Sequence, residues 1–121
     1  MCGFFGCISQ TPISHRLNLF HKALSKISHR GPDNSSTENG SSWFFGHNRL
    51  SIIAPSLESA NQPIKSDQNI LLFNGMLYNF KELSVLVRSS LNQKEQLSDT
   101  KTLFAVLEKF GVEETLNKVD G

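Results

Sequence analysis

Met1-Cys2-Gly3-Phe4-Phe5-Gly6-Cys7-Ile8-Ser9 opens the chain, and its reading decides the fold. The apolar run over residues 2–9 predicts a buried strand, with Gly3 and Gly6 permitting close backbone approach. Removal of the initiator Met1, which the small Cys side chain permits, would leave a thiol and a free α-amine on one residue. A thiol attacks a carbonyl as its thiolate and an α-amine can accept the proton, so Cys2 is a candidate nucleophile that carries its own base. Taken alone, a Met-Cys start reads better as a small buried strand residue.

Outward from that strand, residues 11–14 with Pro12 read as a turn. Leu17, Phe20, Leu24 and Ile27 then recur at helical spacing, which predicts a helix over 16–28 that stops at Gly31-Pro32. Residues 33–42 are rich in Ser, Asn and Gly and read as a polar loop. Extended chain resumes over 43–53, 55–67 is irregular, and 70–73 is a short apolar run typical of a strand buried on both sides. Helices are expected over 78–91, with Leu83, Leu86 and Val87 on one face, and over 98–110, with Leu103, Val106 and Leu107. Strand, helix, strands, helix, helix is the order of an α+β domain.

The 121 residues allow one domain, 1–121. Twelve Lys and Arg against eleven Asp and Glu, without long runs, make no electrostatic case for nucleic acid or an anionic membrane. With no secretory leader pattern and no apolar run near about 18 residues, a cytoplasmic protein is expected. Cys2 and Cys7 are the two cysteines, and five strand residues separate them by about 16 Å, beyond the reach of a disulfide. Neither they nor the four histidines fall in a zinc spacing.

Several further positions could complete a site around Cys2. Asn74-Gly75 is a favourable type I′ hairpin pair; alternatively its carboxamide and its glycine N–H form an oxyanion hole. Arg49 is either a solvated strand residue or a planar fork for a substrate carboxylate. Asp99 is either a first-turn acid favoured by the helix dipole or an acceptor for an ammonium group. His29-Arg30-Gly31-Pro32-Asp33 reads as ordinary helix-stop chemistry, and Trp43, Phe4-Phe5 and Phe44-Phe45 as core. Nucleophile, oxyanion donors, carboxylate clamp and ammonium acceptor together describe a site for an α-amino acid with an acylable side chain, for which glutamine is the obvious candidate.

The segments Met1-Cys2-Gly3, His29 to Asp33, Gly46-His47, Arg49-Leu50-Ser51-Ile52, Gln62-Pro63, Asn74-Gly75, Tyr78-Asn79, Glu82-Leu83 and Ser98-Asp99-Thr100 stand in an order that resembles one family. It is the glutaminase domain of class II (N-terminal nucleophile) glutamine amidotransferases, of the asparagine synthetase type. The resemblance implies an αββα sandwich of the N-terminal nucleophile hydrolase kind. In it Cys2 attacks the glutamine side-chain amide, Asn74 and Gly75 form the oxyanion hole, and Arg49 holds the carboxylate. Backbone of Leu50, Ser51, Ile52 and Ile53 lines the pocket, Met76 borders it, and Asp99 holds the ammonium.

The same resemblance implies ammonia delivery to a C-terminal synthetase domain that uses ATP and magnesium to activate aspartate, with no metal or organic cofactor in this segment. The expected partners are glutamine and either that C-terminal domain or a chain that completes this one, with a homodimer in the full-length protein. Delivery to another acceptor, such as a sugar carboxylate in surface polysaccharide synthesis, and a non-catalytic truncated remnant are the alternatives. Met76 stands where members carry Glu, Ala54 where they carry Asp, and Lys101 where they carry Glu, which removes a capping-box partner for Ser98. Similar domains continue past Asp120-Gly121 into further strands, so an incomplete domain with open sheet edges is expected.

Overall fold

Strand β1 (Gly3–Ile8) forms inside the span expected for it. The computed structural model describes residues 1–51, 61–89 and 98–121. These make a mixed α and β fold in two units, one of 1–51 with 61–74 and a second that includes 75–89 and 98–121. The readings made for Ile52, Ile53, Ala54 and positions 55–60, and for the helix end at 90 and 91, lie outside the described residues.

In the first unit, helix α1 (Leu17–Lys26) covers one face of an antiparallel sheet of β1, β2 (Asn34–Asn39) and β3 (Trp43–Arg49), in the order β1-β3-β2. The alternation of β3 turns Phe44, Gly46 and Asn48 toward the helix. Phe44 is fully buried, with ring centroids 5.5 Å from Phe20 and 6.0 Å from Phe5. Asn48 donates from Nδ2 to the Leu24 carbonyl at 2.9 Å. Gly46 lets the helix lie close, since a Cβ there would come within 2.6 Å of a Leu24 methyl. Ile13, Phe20 and Phe44, with Phe5, Cys7 and Leu17 packed against them, are the core of this unit.

Three expectations are corrected here. Residues 33–42 are not a loop: β2 pairs with β3 in the register Ser36↔His47 and Thr37↔Gly46. This strand has no apolar alternation because it lies at the sheet edge, where the β3 ladder, not burial of its own side chains, holds it. β1 is likewise one-sided rather than buried. Phe4 and Ile8 are exposed, while Phe5 and Cys7 face the core. Residues 70–73 are half-buried, and only β5 (Ile70–Leu71) is strand, paired with β4 (Ile64–Lys65) in a two-stranded ribbon.

The second unit packs α2 (Phe80–Leu86) on α3 (Asp99–Leu116) around Leu77, Leu83, Val87, Ala105 and Val106. Leu86 is exposed rather than facing the core. The helix expected to end at residue 110 does break there: Gly111 has φ 76° and ψ 176°, a conformation open to glycine, and a further helical turn follows. Tyr78 N–H donates to the Asp120 carbonyl at 2.7 Å and Asn79 Nδ2 to the Lys118 carbonyl at 2.8 Å, which ties residues 118–120 to the entry of α2.

Candidate active site

The β1–β3 register, Gly3 opposite Asn48, carries Cys2 to the end of β3. There the Leu50 N–H donates to Cys2 Sγ at 3.3 Å, and Sγ lies 3.7 Å from the Leu50 carbonyl. Cys2 is half-buried while Met1 is exposed. Arg30 Nε donates to the Cys2 carbonyl at 3.1 Å. Gly31 lies beneath β3, where a Cβ would fall 2.2 Å from the Asn48 carbonyl oxygen. Asp33 donates its N–H to the Arg49 carbonyl at 3.0 Å and accepts the Ser51 N–H on Oδ2 at 2.6 Å.

The pentapeptide His29 to Asp33, whose residue types read as a helix stop, therefore also holds the backbone of Cys2 and of residues 49–51. No local signal announced this. Its partners lie 28 positions away for Arg30 and 18 for Asp33, and helix-stop chemistry already accounted for every residue type present.

Arg49 is buried rather than solvated, and its Nη1 donates to Asn61 Oδ1 at 3.0 Å. Asn74 is half-buried and directly follows Phe73, whose main chain is bound by the Gln62 side chain. The hairpin reading of Asn74-Gly75 does not hold. β5 ends at Leu71, no strand follows at 76–78, and among the described glycines Gly111 alone has the positive φ that a type I′ turn demands.

In the second unit Gly75 and Met76 are exposed, whereas Asp99 is buried at the start of α3. Asp99 Oδ1 accepts the Thr100 N–H at 2.8 Å and Oδ2 the Leu77 N–H at 3.5 Å. Among the described residues Ser98 makes no side-chain capping bond.

His47, which sequence reading did not single out as functional, is 1% exposed, and among the described residues neither ring nitrogen has a hydrogen-bond partner. Burial pushes its pKa from 6.5 down to about 4; the Phe73 backbone opposes the shift without reaching hydrogen-bonding geometry, and the Arg49 charge adds to it. The folded protein thus binds fewer protons than the unfolded chain between those values. Its stability should fall as pH drops through that window, by on the order of 3 kcal/mol for this group. Denaturant melts at pH 7 and pH 4.5 should show a smaller acid loss in His47→Met than in the unsubstituted protein; equal losses would assign the acid lability to other groups.

The structure thus brings the half-buried Cys2 thiol to the backbone of Leu50, the residue after the buried Arg49, on a mixed α and β scaffold. The family model for the glutamine amidotransferase domain matches residues 1–121, and the chain belongs to that family. It is 31% identical over 108 residues to asparagine synthetase [glutamine-hydrolyzing] 3 of Bacillus subtilis, covering 85% of this chain and 17% of that protein. To asparagine synthetase [glutamine-hydrolyzing] 1 of the same organism it is 31% identical over 126 residues, covering 100% of this chain and 20% of that protein. A putative asparagine synthetase [glutamine-hydrolyzing] of Mycobacterium tuberculosis is 40% identical over 73 residues, 51% of this chain and 11% of that one. The chain thus spans about a fifth of the length of such relatives. Among the described residues no helix is long and apolar enough to cross a membrane.

Proposed function

We propose that this domain hydrolyses glutamine to glutamate and ammonia through Cys2. The observation that carries the reading is the Leu50 N–H donated to Cys2 Sγ at 3.3 Å, which sets the thiol beside the backbone that follows Arg49. With Met1 removed, the Cys2 α-amine takes the thiol proton, directly or through water, as sulfur attacks the side-chain carbonyl carbon. The carbonyl becomes an oxyanion that the Asn74 carboxamide and Gly75 N–H receive. It collapses with cleavage of the carbon–nitrogen bond, the amine passes its proton to the leaving ammonia, and water then hydrolyses the γ-glutamyl thioester.

Arg49 takes the substrate α-carboxylate as a bidentate fork, with Leu50 and Ser51 lining the backbone side. Asp99 takes the ammonium, and Met76 offers it no second carboxylate. The αββα sandwich is the architecture that fits this chemistry.

The relatives' names support asparagine synthesis as the destination of the ammonia; our reading takes aspartate as the acceptor, in a synthetase domain to which ATP and magnesium belong. The thiol chemistry proposed for this segment calls for no metal ion. A glutamine-like diazo-ketone tests the reading, because it alkylates an activated nucleophile held beside an amino-acid clamp. Intact mass should show loss of Met1 and one adduct on Cys2, suppressed by excess glutamine; a processed, folded protein that stays unlabelled would refute it.

A further inference from the structure

Gln62 is 4% exposed, and its carboxamide meets both main-chain groups of one residue: Oε1 accepts the Phe73 N–H at 2.5 Å, and Nε2 donates to the Phe73 carbonyl at 3.1 Å. A side-chain amide here does what a neighbouring strand would do. It satisfies a peptide that β5, ending at Leu71, leaves without a partner strand. The Gln62 carbonyl is in turn held by Ser36 Oγ at 2.5 Å, so the clamp is anchored to β2. The preceding side chain, Asn61, accepts from Arg49 Nη1 at 3.0 Å. Two consecutive residues therefore grip the arginine and the peptide that leads into Asn74.

We propose that Gln62 is a positioning residue that orients Asn74 as oxyanion donor, while Asn61 orients the Arg49 guanidinium. The inference rests on the roles given to Asn74 and Arg49 under the proposed function. A carboxamide is required at Gln62 because it presents one donor and one acceptor side by side; a carboxylate would turn a second acceptor toward the Phe73 carbonyl. At this depth, water replaces a lost partner poorly. Displacement of Asn74 would be felt mainly in the transition state, where charge develops on oxygen, and displacement of Arg49 mainly in substrate binding.

The test is steady-state glutamine hydrolysis by the purified protein and its variants, together with amide hydrogen exchange. Gln62→Met, similar in size but without the amide, should lower kcat by about 30-fold and leave KM within about threefold. Asn61→Ala should raise KM by about tenfold with kcat within about threefold. Amide exchange at Phe73 should quicken by roughly tenfold or more in Gln62→Met and stay unchanged in Asn61→Ala. Should Gln62→Met fail to fold, Gln62→Asn keeps the carboxamide, shortens its reach, and carries the same comparison. A folded Gln62 variant with unchanged kcat, or parallel loss of kcat and KM in both positions, would overturn the proposal. If the unsubstituted protein shows no glutamine turnover, the proposed function fails instead, and unchanged exchange at Phe73 separately refutes the clamp.

Discussion

Cys2→Ala is expected to lower glutamine hydrolysis by at least about 10⁴-fold, because removing a covalent nucleophile removes the reaction path itself. Cys7 cannot take over: it packs with Ile13, Phe20 and Phe44 in the core of the first unit. The fold should tolerate the change. The thiol exchanges two weak contacts with Leu50, and their loss costs no more than about 1 kcal/mol. Glutamate release and the melting curve, measured on the same preparation, separate the two effects. Activity near that of the unsubstituted protein would exclude Cys2 as nucleophile, whereas a collapsed melting curve would show that it serves structure instead.

The second large effect is expected at the oxyanion donor. Asn74→Ala should lower kcat by about 10²–10³-fold with KM little changed, since its carboxamide meets the carbonyl oxygen more strongly once negative charge has developed there. Asn74→Asp keeps the shape but turns a negative charge toward a developing oxyanion, so it should be at least as damaging. Steady-state kinetics with glutamine decide the matter. A rise in KM at constant kcat would make Asn74 a ground-state contact, and the assignment of the oxyanion hole would have to move elsewhere.

The legibility of the parts follows from where their energy comes from. α1 could be read because Phe20 and Leu24 repeat at the helical period and both are buried. The end of the last helical run at Phe110 could be read because Gly111 interrupts the pattern, and the glycine adopts positive φ. β2 could not be read, because a polar edge strand such as Asn34–Asn39 owes its conformation to a partner that the local sequence does not contain. Asn74-Gly75 carried a local hairpin signal, yet Gln62, a residue 11 positions from Phe73, supplies the hydrogen bonds there.

The candidate site divides in the same way. Sequence motifs named Cys2, Arg49, Asn74 and Asp99 because each residue type has a chemistry of its own. They could not show that Arg30 bonds the Cys2 carbonyl and Asp33 the Ser51 N–H, or that Asn61 and Gln62 reach Arg49 and Phe73.

By itself, then, the sequence determined the family, the mixed α and β character and the periodic helices. These depend on residue identity and on spacing within a few residues. Only the tertiary structure decided which strands pair, which apolar faces stay exposed, how deeply Arg49 and His47 are buried, and which distant side chains bond Arg49 and the Phe73 main chain. Those properties arise from hydrogen bonds and burial between residues far apart in the chain, and a local pattern carries no record of them.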